Sequence, residues 1–141
     1  MKKASKIRVK HAHIIKLTKT EHSSRGSLYY GEYGKHLPFN VKRIFFISDV
    51  KSRKAVRANH AHKNVNEVIF CINGSVDVHL DDGVDKQKIV LDNPRHGIYL
   101  EPQVWRKLTN FSKDSIVIGL AKDLFDSQDY ITDYQNFLKQ V

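Results

Sequence analysis

The fold is decided by residues 57–74, which read RANHAHKNVNEVIFCING. Alternate residues of a β-strand share a face, so His60 and His62 would project together into whatever space the strands enclose. The apolar run Val68–Ile72 follows, and Asn73-Gly74 after it is typical of a tight hairpin turn. We therefore predict two strands here, with the histidine pair on the inner face of the first.

The surrounding sequence repeats this pattern of short apolar runs separated by turn signals. Val76, Val78 and Leu80 alternate with polar residues, as in a strand with one buried face, and Asp82-Gly83 marks the next turn. Many short strands at regular spacing predict an all-β sandwich or barrel. The other candidate strands are Arg8–Leu17, Ser27–Tyr33, Val41–Asp49, Lys86–Leu91, Gly97–Glu101, Val104–Thr109 and Ser115–Ala121.

The last fifteen residues have a different period. Ser127 is a plausible N-cap, and the apolar residues after it follow helical spacing. We predict a short C-terminal helix whose apolar stripe packs on the barrel or on a neighbouring subunit. The stripe consists of Ile131, Tyr134, Phe137, Leu138 and Val141.

Composition sets the class of protein. A length of 141 residues favours one domain, 1–141, and the single Cys71 excludes an internal disulfide framework. No apolar run approaches the roughly 20 residues that span a bilayer, and no signal-peptide pattern follows the basic start, so we expect a soluble cytoplasmic protein. The net charge is +9, with +13 on residues 1–63 and −4 on residues 64–141. This excess suits either a polyanionic partner or a solvated surface.

The spacing of residues 60–74, HxH-x4-E-x6-G, resembles the first motif of the cupin superfamily, which implies a jelly-roll β-barrel with its site inside. His60, His62, Glu67 and Gly74 supply the motif. The second HxH triplet, at residues 11–13, has no glutamate at the matching offset, and we interpret it as part of an ordinary strand.

Two chemistries fit the histidine pair. Two imidazoles and the Glu67 carboxylate could bind a metal ion, although the region of the second cupin motif holds Arg106 and Lys107 where a histidine ligand would be expected. Alternatively, the pair could take and return protons without a metal, because histidine titrates near neutral pH. Arginines such as Arg25, Arg57 or Arg106 would then stabilise an oxyanion or bind a diphosphate.

Over nearly its whole length the chain resembles the dTDP-4-keto-6-deoxyglucose 3,4-ketoisomerases of bacterial deoxysugar synthesis. The similar segments keep the family's order and approximate spacing. They include residues 25–28, 37–39, 41–43, 60–63, 73–75, 81–83, 104–105 and 129–134, together with Glu32, Cys71 and Phe137.

The resemblance implies a homodimeric cupin that uses no metal or cofactor and moves the ketone of a dTDP-linked 4-keto-6-deoxyhexose from carbon 4 to carbon 3. His60 matches the family's proton-abstracting histidine, and His62 matches its partner in proton transfer. Arg25 and Arg57 match arginines that line the same site. The product would be the substrate of an aminotransferase that makes 3-amino-3,6-dideoxyhexoses for surface glycans. Two aromatic residues, Trp105 and Tyr33, are candidates to stack on thymine, although strand aromatics more often simply pack.

Three positions depart from the family pattern. Ala58 replaces a frequent glycine, Arg106 a frequent histidine, and Glu67 a frequent glutamine, which keeps the metal-dependent cupin enzyme as an alternative. The configuration of the product at carbon 4 stays open. Further alternatives are a non-catalytic basic module that binds nucleic acid and a 3,5-epimerase on the same barrel. The leading interpretation requires neither nucleic acid nor membrane as a partner.

Overall fold

Two five-stranded antiparallel sheets and a separate hairpin make up residues 6–141, the part of the chain described by the computed structural model. One short helix, α1 (Tyr134–Leu138), and two single-turn 3₁₀ segments, Ser23–Arg25 and Ser127–Asp129, complete the described fold. The strands are β1 (Ala12–Lys16), β2 (Thr18–Glu21), β3 (Ser27–Tyr30), β4 (Arg43–Ile47), β5 (Arg57–His62), β6 (Glu67–Asn73), β7 (Val76–Asp81), β8 (Lys86–Leu91), β9 (His96–Leu100), β10 (Trp105–Thr109), β11 (Ile116–Ala121) and β12 (Tyr130–Ile131).

The two large sheets enclose the main core. Sheet I has the order β1-β9-β6-β11-β4 and sheet II the order β12-β5-β10-β7-β8, so the chain passes repeatedly from one sheet to the other. The alternating residues Val76, Val78 and Leu80 of β7 are at most 1% exposed, as the period-2 pattern predicts. Ile98 and Leu100 of β9 belong to the same core cluster. The predicted all-β architecture with a short C-terminal helix is confirmed.

Both predicted turns are present. Gly74 joins β6 to β7 with φ +73°, and a Cβ atom there would lie 2.3 Å from Ser112 Oγ, so glycine is required for conformation and for space. At the next turn the Asp82 carboxylate accepts hydrogen bonds from the backbone N–H groups of Val84 and Asp85, both at 2.8 Å. The acidic pair at residues 81–82 therefore serves the turn, as predicted.

The predicted strands are present, but several are shorter than predicted. β1 begins at Ala12 because His11 adopts φ +66°, which is incompatible with a continuing strand. β2 was not predicted, since its sequence Thr-Lys-Thr-Glu has no apolar alternation. It pairs only with β3, as a hairpin outside both sheets.

The C-terminal segment differs from the prediction of one helix capped by Ser127. The helix starts only at Tyr134, and its N-cap is Asp133, whose side chain accepts the Asn136 N–H at 2.9 Å. Residues 130–131 instead extend sheet II, because they pair with His62 and Ala61. Of the predicted apolar stripe, Ile131 and Phe137 are buried and Tyr134 and Leu138 pack partly against them, whereas Val141 is 49% exposed. Among the described residues, no helix is long and apolar enough to cross a membrane.

Candidate active site

A bulge in β5 aims the histidine pair. Arg106 of β10 pairs with His60 and Lys107 pairs with Ala58, so Asn59 is an extra residue in β5. Ala58 and Asn59 both adopt positive φ, +62° and +61°. This left-handed turn explains why a glycine would suit position 58. Beyond the bulge, His60 and His62 both face the interior, as the strand periodicity predicts.

The histidines lie in a cavity of about 500 Å³ between the sheets. This volume lies within the usual range for small-molecule sites. Strands β4, β5, β6, β10 and β11 line it together with the segment around Tyr130. Its walls are largely apolar and aromatic, and two arginines contribute positive charge. The lining residues are Arg43, Phe45, Phe46, Ile47, Val56, Arg57, Ala58, His60, His62, Glu67, Ile69, Leu108, Val117, Phe125 and Tyr130.

Three rings pack together in the cavity. The His60 and His62 rings meet edge to face with centroids 4.9 Å apart. The Tyr130 ring lies 4.8 Å from the His60 ring and 4.5 Å from the His62 ring. His62 is almost fully buried, whereas His60 keeps part of its surface accessible. His60 is therefore the imidazole more accessible to a ligand.

A buried carboxylate anchors His62. Asp129 Oδ2 lies 2.8 Å from His62 Nδ1, and both side chains are at most 4% exposed. The same carboxylate accepts the backbone N–H groups of Asn64 at 2.7 Å and Val65 at 3.4 Å. These hydrogen bonds lower the pKa of Asp129 against the effect of its burial, so it is ionised at neutral pH.

A buried guanidinium lies beside the pair. Arg106 is fully buried and donates from Nη1 to Glu67 Oε1 at 3.1 Å, while its Nε and Nη2 atoms have no hydrogen-bond partner within residues 6–141. Burial and then the positive charge of Arg106 lower the pKa of His60 to about 4 and that of His62 to about 3. Both imidazoles are consequently neutral near pH 7 and can accept a proton.

The contacts of Glu67 bear on the metal alternative. One carboxylate oxygen is engaged by the buried Arg106 guanidinium, whose positive charge opposes a bound cation. Within residues 6–141 no three histidine, cysteine, aspartate or glutamate side chains meet in a geometry that could hold a metal ion. The donor set of His60, His62 and Glu67 therefore does not fit a metal triad as it is arranged.

Comparison with known proteins identifies the family to which the chain belongs. The family described as "FdtA: WxcM-like, C-terminal" matches residues 10–141. This chain belongs to the FdtA-like family. A relative of this FdtA-like chain, the TDP-4-oxo-6-deoxy-alpha-D-glucose-3,4-oxoisomerase of Aneurinibacillus thermoaerophilus, is 45% identical over 118 residues, 84% of each protein.

Solved structures agree with this family assignment. The TDP-quinovose 3,4-ketoisomerase WlaRB of Campylobacter jejuni is similar to this FdtA-like chain with a TM-score of 0.87 and 37% identity, over 93% of this chain and 99% of that one. The 3,4-ketoisomerase QdtA of Thermoanaerobacterium thermosaccharolyticum, solved in complex with TDP, matches with a TM-score of 0.89 and 30% identity, over 93% and 94%. The predicted family resemblance and fold class are confirmed.

The predicted substrate contacts of this family member separate into two groups. Arg57 lines the cavity, and Arg106 lies beside the histidines. Arg25 lies at the tip of the β2–β3 hairpin and Tyr33 just beyond it, 64% exposed, and neither lines the cavity of its own chain. Trp105 lies on the opposite face of β10, packed against Tyr134 and Phe137, and does not line the cavity either.

The structure adds cavity residues to which sequence reasoning gave no role. Arg43 is a second arginine in the wall, and Tyr130 packs on both histidines. Asp129 lies in the segment for which the sequence predicts only a C-terminal helix, yet it bonds to His62. Asp129 and His62 are 67 residues apart, so no local pattern in the sequence indicates this contact. The only sequence feature that singled out this segment is the similarity of residues 129–134 to the family.

Proposed function

We propose that this chain is a TDP-sugar 3,4-ketoisomerase that converts TDP-4-keto-6-deoxyglucose to the 3-keto sugar. The observation that carries this proposal is a pair of neutral histidines, His62 buried and His60 partly accessible, in a cavity of about 500 Å³ in a member of the FdtA-like family. The reaction moves two protons and changes no overall oxidation state. It therefore needs an acid/base pair and no redox cofactor.

His60 is the proposed base. The carbonyl at carbon 4 acidifies the proton on carbon 3, and the accessible imidazole of His60 removes it, leaving an enediolate across carbons 3 and 4. Return of this proton to carbon 4, with transfer of the hydroxyl proton from oxygen 3 to oxygen 4, yields the 3-ketone. The Arg106 charge beside the histidines stabilises the negative enediolate.

The proposed diphosphate contacts are the cavity arginines. Arg57 and Arg43 present guanidinium groups at the wall, where paired hydrogen bonds suit phosphate oxygens. An exposed aromatic side chain beside them, Phe125 at 65%, offers a flat apolar surface for a base or a sugar. These contacts replace the predicted roles of Trp105 and of Tyr33 within one chain.

Isomerisation is tested by incubating the protein with TDP-4-keto-6-deoxyglucose, trapping the product with a 3-aminotransferase and determining its configuration by NMR. We expect His60→Asn to lose isomerisation while TDP binding, measured by calorimetry, persists. His79→Asn is the matched control, because His79 lies in sheet II but lines a different groove. Near wild-type activity of His60→Asn would contradict the role of this histidine.

We also propose that the enzyme is a homodimer in which the hairpin of one copy meets the other. Within the described chain the β2–β3 hairpin pairs with no further strand, and the edge strand β4 exposes Ile44 at 60% and Phe46 at 68%. An apolar edge strand is normally covered. A second copy would cover it and would let Arg25 reach a cavity that its own chain does not bring near.

Complementation tests this arrangement. We expect Arg25→Ala and His60→Asn each to be inactive alone, and a re-equilibrated equal mixture to regain about a quarter of wild-type activity, because half the dimers are mixed and each has one intact site. Light scattering should show a dimer that Ile44→Lys converts to a monomer. A monomeric wild type, or a mixture without activity, would refute the arrangement while leaving the chemistry of His60 untouched.

A further inference from the structure

Asp129 is a buried carboxylate to which the proposed reaction has so far given no part. It lies behind His62, away from the cavity, and is 4% exposed. Its Oδ2 atom contacts His62 Nδ1 at 2.8 Å, and its Oδ1 atom accepts the backbone N–H of Asn64 at 2.7 Å. Every one of these contacts places a donor against a carboxylate oxygen.

This arrangement fixes where the hydrogen of His62 lies. An ionised carboxylate only accepts hydrogen bonds, so the hydrogen shared with Asp129 is on Nδ1 of His62. A neutral imidazole has one N–H group, and Nε2 is therefore left with a free lone pair. Nε2 lies 3.7 Å from Glu67 Oε2, which is too long for a hydrogen bond, and Arg106 engages the other oxygen of Glu67.

We propose that Asp129 is a positioning residue that holds His62 in the Nδ1–H tautomer and so keeps Nε2 free to receive a proton. The role of that proton rests on the proposed function: it comes from carbon 3 of the substrate by way of His60, whose ring is adjacent. The imidazolium formed lies between the carboxylates of Asp129 and Glu67, which stabilise its charge. The Nε2 proton then returns to carbon 4 by way of His60, and the Nδ1 proton stays on His62 throughout.

Glu67 acquires a role in this scheme different from metal ligation. At rest its Oε2 atom faces a lone pair and gains nothing from His62. Once Nε2 is protonated, the same oxygen becomes a hydrogen-bond acceptor, and a small closing of the 3.7 Å gap would complete the bond. The hydrogen bond from Arg106 to the other oxygen holds the Glu67 carboxylate in place for that moment.

Asp129→Asn separates tautomer control from structural support. The amide oxygen can still accept the Asn64 N–H, while the amide nitrogen donates to His62 Nδ1 and forces the ring hydrogen onto Nε2. We expect kcat to fall by roughly 10²–10⁴-fold, as a wrong tautomer does in other histidine enzymes, with KM and TDP affinity changed by less than about threefold. Asp126→Asn is the matched control, because Asp126 caps the same segment but is exposed and contacts Gln128 N–H instead.

The deciding measurement is the long-range ¹H–¹⁵N NMR pattern of His62 in the substrate-free protein at neutral pH. The proposal expects the Nδ1–H pattern in the wild type and in Asp126→Asn, and the Nε2–H pattern in Asp129→Asn. An Nε2–H pattern in the wild type overturns it even if Asp129→Asn fails to fold, and so does an unchanged pattern in a folded Asp129→Asn. Because no substrate is present, the outcome is independent of whether the chain isomerises the proposed sugar.

Discussion

Acid should destabilise this protein through its two cavity histidines. Their pKa values are about 4 for His60 and about 3 for His62 in the folded protein, against 6.5 in the unfolded chain. At a pH between the folded and the unfolded pKa of a histidine, the unfolded chain binds a proton that the folded protein does not bind. The free energy of unfolding therefore falls as the pH drops below 6.5. The pKa of Asp129 is also lowered in the folded protein, so Asp129 acts in the same sense, but only below its ordinary value of 3.8.

The size of the effect follows from the pKa differences. At pH 5, which is 1.5 pH units below the unfolded-state pKa of 6.5, the lowered pKa of each histidine reduces the free energy of unfolding by about 2 kcal/mol. Together His60 and His62 should lower the free energy of unfolding by about 4 kcal/mol between pH 7.5 and pH 5. His60→Asn removes one of the two groups, so its loss over the same interval should be smaller by about 2 kcal/mol.

Urea unfolding at pH 7.5 and pH 5.0, at one fixed protein concentration, measures this difference. A change of 2 kcal/mol moves the urea midpoint by about 1 M, well above the usual error. His79 and His96 also have lowered pKa values from burial, but they are common to wild type and variant and cancel. His22→Asn, at an exposed histidine, should reproduce the wild-type loss. If His60→Asn loses as much stability as the wild type, burial of His60 does not control its protonation.

Three sets of variants test the packing around the site and in the core by chemical denaturation. Arg106→Met leaves Glu67 buried without its partner and should lower the free energy of unfolding by about 3–5 kcal/mol. The double variant Arg106→Met/Glu67→Leu should regain most of that loss. Equal losses in the single and the double variant would argue against the ion pair. Ala58→Gly relieves the left-handed backbone at φ +62° and should stabilise by up to about 1 kcal/mol, whereas a clear loss would contradict the assigned conformation. Leu100→Ala empties a fully buried core position and should cost about 3–5 kcal/mol, and a loss below about 1 kcal/mol would not fit a core site.

Local patterns in the sequence predicted the strands that carry them. The alternation of Val76, Val78 and Leu80 and the Asn73-Gly74 turn were sufficient for the β6–β7 hairpin, because both signals lie within a few residues. The strands missed were those without such a signal. β2 is polar throughout, and β12 has two residues whose pairing with β5 depends on contacts about 70 residues away.

The candidate site was predictable to the same extent. The HxH spacing placed His60 and His62 on one face, and the structure agrees. The same period-2 rule shows why neighbours Trp105 and Arg106 could not share the cavity: they project from opposite faces of β10. Asp129 could not be assigned from the sequence, because its partner is set by the meeting of β12 with β5 and leaves no spacing to detect.

The bulge in β5 makes chain length matter more than residue identity just before the histidines. Asn59 is the residue skipped where the pairing of β5 with β10 shifts between Ala58 and His60, and it decides which face the residues after it share. Deleting a single residue between Arg57 and His60 would turn the imidazoles toward the outer surface of sheet II, where Trp105 now packs. This segment should therefore tolerate many substitutions but no insertion or deletion. The number of residues before His60, and not their identity, decides which face of the strand the two histidines occupy.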